Sequence, residues 1–75
     1  EFEKAKQYYD QILLHHPGRA DTQFNRGLVA MALDEPYKKY LSQARQLDLD
    51  YYQKSEKKIS DIEHALQKLN NKSSK

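Results

Sequence analysis

The sequence predicts an all-α chain of antiparallel helical hairpins, and three observations carry that reading. Glycine and proline are scarce, two of each in 75 residues, and Pro17-Gly18 and the Asp34-Glu35-Pro36 run stand as dividers between longer segments. Within each segment the apolar residues recur every three or four positions, the period of one helix face. The remaining composition, rich in Lys, Gln, Leu, Ala and Glu, favours helix over sheet. All-β and α/β architectures are excluded on these grounds.

The first helix places Phe2, Ala5, Tyr9, Ile12 and Leu13 on one face. It stops at His15-His16-Pro17-Gly18, because proline pushes its predecessor out of the α region and lacks a donor, while glycine tolerates a reversing conformation. A second helix follows, with Asp21 or Thr22 accepting from its open N–H groups and Phe24, Leu28, Met31, Ala32 and Leu33 at helical spacing. It ends near Asp34. The Asp34-Glu35-Pro36 run starts a third helix, predicted from Pro36 to Leu47, since carboxylates suit a helix N-terminus and proline its first position. Its apolar face is Tyr37, Tyr40, Leu41, Ala44 and Leu47. The fourth and longest helix is predicted from Asp50, where Asp50-x-x-Gln53 has capping-box spacing, to Asn70-Asn71. Tyr52, Ser55, Ile59, Ile62, Leu66 and Leu69 form its stripe, and Lys57 stands four residues before Asp61. Residues 71–75 have nothing to bury and read as a disordered tail.

Composition also limits function. The absence of Cys removes disulfide scaffolds, thiolate zinc sites and thiol nucleophiles. No apolar run approaches the ~20 residues that span a bilayer, so membrane insertion is not expected. The net charge of +2 arises from 13 basic and 11 acidic residues and gathers in residues 51–75, which hold six basic and three acidic groups. Both signs are interspersed there, as on a solvated helix face, and no nucleic-acid affinity is expected. No Gly-rich phosphate loop, nucleophile elbow or paired-carboxylate pattern occurs, so neither an enzyme nor a cofactor is expected. The adjacent His15 and His16 diverge by about 100° on a helix and do not converge on a metal, whereas a helix C-terminus favours them electrostatically. His64 reads as a surface residue. Six tyrosines, Tyr8, Tyr9, Tyr37, Tyr40, Tyr51 and Tyr52, could stack nucleobases, but their helical positions assign at least one of each pair to packing.

An internal repeat is present. Ala5-x3-Tyr9-x2-Ile12-x4-Pro17 resembles the second helix of a tetratricopeptide repeat, with its small residue, aromatic, packing residue and closing proline. Residues 20–49 resemble a further repeat, in which Asn25-Arg26-Gly27 stands for the family's Asn-Leu-Gly and Ala44-Arg45-Gln46-Leu47-Asp48 for its Ala-Leu-Glu-Leu-Asp ending. The departures are Gln23 for Trp, Arg26 for Leu, Ala30 for Tyr, Tyr37 for a small residue and Leu49 for the closing Pro. From Pro17 to Leu49 the period is 32 residues, two short of the family's ~34. The resemblance implies about one and a half repeats: residues 1–17 as the second helix of a truncated repeat, 20–49 as a degenerate repeat and 50–70 as a C-terminal capping helix. It implies the C-terminal piece of a longer array, or alternatively a small chain completed by dimerising. An unrelated helical hairpin bundle is the rival.

The same resemblance implies a scaffold that holds a protein or peptide partner in a groove lined by the first helix of each repeat. Here that face is Asp21, Phe24, Asn25, Leu28 and Met31, or else the terminal helix packs over part of it. A carboxylate-clamping version of the groove would use Asn25 with Lys57, but Gln53 departs from the expected Lys. The alternative is a self-association module meeting its own copies through Tyr9 and Ile12 on the first helix, or Ile59, Ile62 and Leu66 on the last. The sequence assigns no compartment.

Overall fold

Residues 1–73 are described by the computed structural model, with side chains through Leu69. Five helices follow one another: α1 (Phe2–His15), α2 (Ala20–Ala32), α3 (Lys38–Leu47), α4 (Leu49–Ser55) and α5 (Lys57–Ser73). Among the described residues there is no strand, and the chain is an all-α stack of helical hairpins. The α2 helix is the centre, with α1 and α3 as its main neighbours and α4 and α5 closing over the remaining side.

Each boundary has a local cause. The α1 helix ends at His16, which leaves the α region at φ −137° and donates its N–H to the Ile12 carbonyl at 2.7 Å. Neither glycine adopts positive φ. The reversal at Pro17-Gly18 therefore rests on the missing proline donor, and Gly18 takes part in it without a left-handed conformation. The α2 helix begins one residue before the expected cap. Asp21 lies inside its first turn, where its Oδ1 accepts from the Thr22 N–H at 2.8 Å, and its charge suits the helix N-terminus.

The end of α2 is a Schellman closure with an aspartate in the glycine position. Asp34 adopts φ +58°, its N–H donates to the Met31 carbonyl at 3.1 Å, and the Glu35 N–H reaches back to Ala30 at 2.8 Å. These two bonds satisfy carbonyls that the helix leaves open. Pro36 and Tyr37 stay outside any helix, and α3 starts at Lys38 rather than at the proline. Asp48, not Asp50, caps α4: its Oδ1 accepts from the Tyr51 N–H at 3.0 Å.

The single last helix expected over 50–70 is divided at Glu56, where the Ile59 N–H bonds the Glu56 carbonyl at 3.1 Å in a tighter i→i+3 turn. The end is corrected too. Asn71, Lys72 and Ser73 continue α5, while Ser74 and Lys75 of the expected tail lie outside the described residues.

Packing follows the helical stripes. Phe24 is fully buried and forms the core with Met31, Leu41 and Ala44, against which Leu28, Tyr37, Tyr51, Tyr52, Ile59 and Ile62 pack. Tyr51 and Tyr52 meet the Phe24 ring edge-on, both at 5.8 Å between centroids, a favoured aromatic geometry. Gly27 lets α2 and α3 approach closely: a Cβ there would lie 2.7 Å from Leu41 Cδ2 and 3.2 Å from Tyr40 Cβ. The result is a slab of 43 × 25 × 16 Å, about two helices thick.

Candidate interaction surface

The face expected to line a partner groove is largely occupied by the chain itself. Phe24 and Met31 are 0% and 3% exposed and belong to the core, so neither contacts a partner in this fold. Leu28 packs beside them under the C-terminal helices. Asn25 is half-buried on α2, and Lys57 is exposed as the first residue of α5. Asp21 is half-buried and held by Arg19, whose Nη2 donates to Oδ2 at 2.9 Å. That bond, together with the Thr22 N–H, keeps the Asp21 carboxyl below the usual aspartate range. The terminal helices thus cover the central part of this face, the outcome the sequence left open.

The residues of the alternative surface fare differently. Tyr9 and Ile12 on α1 are half-buried, and Ile59 and Ile62 pack against the core. Leu66 stands between two clefts. One, of about 190 Å³, is walled by Phe2 of α1 and by Ile62, Ala65, Leu66 and Leu69 of α5, with Ala32 of α2 at its base, and is almost wholly apolar. Phe2 is 55% exposed at its rim and Leu69 59%. The groove exists because α1 and α5 both pack on α2 without packing on each other.

The second cleft, about 390 Å³, continues past Leu66 and Met31 to Asp34, Glu35, Tyr37, Glu63 and His64. Its mouth is acidic. Glu35 is drawn aside by Lys6, whose Nζ lies 3.0 Å from Oε2, and this bond raises the Lys6 pKa above its ordinary value despite some desolvation. Among the described residues no three His, Cys, Asp or Glu side chains converge as metal ligands.

On the opposite side a third cleft opens between α1 and α3, lined by Asp10, Leu13, Leu14, Gln23, Lys39 and Tyr40 among others. Beneath it lies Arg26. Its side chain is 6% exposed, its Nε donates to Asp10 Oδ1 at 2.7 Å, and its guanidinium carbon stands 4.6 Å above the Tyr40 ring. Among the described residues the buried Nη1 has no hydrogen-bond partner. Gln23, in the place of the resembled family's Trp, donates its amide to the Pro17 carbonyl at 3.0 Å.

Sequence reasoning placed Ala32 on the stripe of the second helix without assigning it to a site, and it missed Ala65, which lines the apolar hole with it, and the Asp10–Arg26 pair. The only sequence signal for the hole was alanine on or beside two helical stripes. The pair depends on the register of one hairpin against another, which no local spacing encodes. Comparison with known proteins finds no matching family model, no matching curated protein and no matching solved structure.

Proposed function

We propose that this chain is a non-catalytic protein-interaction module of the tetratricopeptide kind, holding an amphipathic helical segment of a partner chain along the edge between α1 and α5. The apolar groove of Phe2, Ala32, Ile62, Ala65, Leu66 and Leu69 carries the reading. A concave, nearly unbroken apolar lining flanked by polar residues is the setting in which a helix lays its apolar face. The repeat reading rests on the sequence resemblance, in which Gly27, now at the close crossing of α2 and α3, and the fully buried Ala44 both stand. The central face of α2 takes no part in binding.

The test is selection of helical peptides on the folded chain from a displayed amphipathic library, followed by calorimetry. Selected peptides are expected to bind with a negative heat-capacity change and to lose affinity on Ala65→Lys, a change at an exposed helical position. Peptides whose binding ignores that charge overturn the groove as the site. Binding that collapses with added salt would instead mark an electrostatic, nucleic-acid-like surface.

A further inference from the structure

The partner that this groove fits is a second copy of the same chain. We infer that two copies pair about a two-fold axis, the Phe2 ring of each entering the hole over Ala32 and Ala65 of the other. The inference rests on the interaction-module reading and names its partner.

Three observations carry it. A two-fold interface must be self-complementary, since one patch meets its own copy, and this patch holds both halves of a fit. A bulky knob, Phe2, exposed by more than half, stands on the rim of an apolar hole that two alanines leave open. The hole, about 190 Å³, has room for a large side chain.

The second observation is area. The chain exposes 5663 Å², whereas a compact folded chain of 8.9 kDa exposes about 4,800 Å². Its radius of gyration is 13.0 Å, against about 11 Å for a compact chain of this length. The excess belongs to an elongated slab of 43 × 25 × 16 Å, and the α1–α5 edge, where Phe2 and Leu69 are more than half exposed, is one part of it.

The third is charge. Glu1 and Glu3 flank Phe2, ahead of Lys4, and the apolar stripe on α5 is bordered by Lys58 and Lys68 as well as by Asp61 and Glu63, so a two-fold pairing must set the glutamates against the lysines and clear of those carboxylates. Seating the start of one α1 against the other copy's α5 brings unlike charges together twice, once in each half of the dimer. Such rim pairs set register more than affinity.

The experiment is light scattering of the whole chain from about 1 µM to 1 mM, a range that spans the weak end of interfaces this size, with helicity recorded on the same samples. Wild type is expected to dimerise reversibly. Ala65→Lys should weaken the dimer by at least ~100-fold with unchanged helicity, because its longer side chain fills the hole that the other copy's Phe2 must enter. Phe2→Glu should do the same from the knob side, and it decides the matter if Ala65→Lys loses helicity. Tyr8→Lys, exposed on α1 outside the groove, should leave the dimer intact. A monomer throughout, or a dimer indifferent to both groove variants, overturns the inference. A monomer that still binds helical peptides at Ala65 leaves the interaction reading standing, and a monomer that binds none removes both.

Discussion

The α1 and α2 helices are nearly equal in length and share one hairpin, yet they are held in opposite ways. No residue of α1 is buried, while α2 buries Thr22, Gln23, Phe24, Arg26, Gly27, Val29, Ala30 and Met31. The α2 helix is packed against all four other helices. The α1 helix touches α2 alone among the helices and is tied down by two ion pairs, Lys6–Glu35 near one end and Asp10–Arg26 in the middle. The difference teaches where the molecule is strong and where it is open. A helix packed on one side leaves grooves on both flanks, and those grooves are the surfaces available to partners. Its local opening should also be easier than that of α2.

The sharpest way to break this comparison is through the core. Phe24→Ala removes the one large side chain that is wholly buried among the described residues and should cost ~3–5 kcal/mol, enough to unfold much of a domain this small. Ile12→Ala on the half-buried face of α1 should cost about 1–2 kcal/mol, a partial version of the same loss. Urea unfolding followed by circular dichroism reads both. Equal losses at the two positions would mean that α1 is as integral as α2.

Next comes the buried cation. Asp10→Ala strands the Arg26 guanidinium in its enclosed position, and since Asp10 itself is 48% exposed, water replaces part of what is lost, for a cost of about 1–2 kcal/mol. Arg26→Met should cost less, because it removes the charge together with its desolvation. Were Arg26→Met the more damaging change, the ion pair and the Tyr40 ring contact would be net sources of stability.

The two glycines give a smaller and signed contrast. Gly27→Ala must push Leu41, which is itself buried, out of van der Waals overlap. Its better helix propensity offsets part of the overpacking, leaving a net loss of about 1 kcal/mol. Gly18→Ala meets no atom within 4 Å and no positive φ, so a gain of ~0.4–1 kcal/mol is expected from the stiffer unfolded chain. Thermal unfolding of the pair checks the signs.

The hairpin order was legible in the sequence because it depends on local rules: stripes at 3-4 spacing, Pro17 as a stop, and acidic residues near helix starts. The boundaries that failed did so where two local signals competed. Asp48 and Asp50 both offered a cap, and the one whose carboxylate reaches the Tyr51 N–H won. Pro36 suited a first helical position, but the left-handed Asp34 had already set the direction of the chain. The stripe from Tyr52 to Leu69 read as one helix because Glu56 keeps α-like angles, so the break leaves the periodicity almost undisturbed. The groove was barely legible at all. Phe24 and Met31 look like binding residues on an isolated helix, and whether they face a partner or the chain's own α4 and α5 is a tertiary fact.

The smallest effect concerns two partly exposed charge pairs of the α1–α2 hairpin, and its sign differs between them. At the junction with α2, Asp21 is held below its ordinary pKa of 3.8 chiefly by the hydrogen bond from Arg19. A depressed carboxylate contributes stability above its unfolded pKa and loses it as pH falls through the folded value. At the other end the Lys6 pKa is raised above 10.5, first by its hydrogen bond to Glu35. A raised ammonium contributes stability below its unfolded pKa and loses it as pH climbs through the folded value. The midpoint difference between wild type and Asp21→Asn should therefore be steady near neutrality and fade below about pH 4, whereas that for Lys6→Gln should fade above about pH 10.5. Both differences should also shrink in high salt, because the pairs are partly exposed and screened. A gap for Lys6→Gln that survived strong base would show that the aliphatic stem, rather than the charge, holds α1 to the turn after α2.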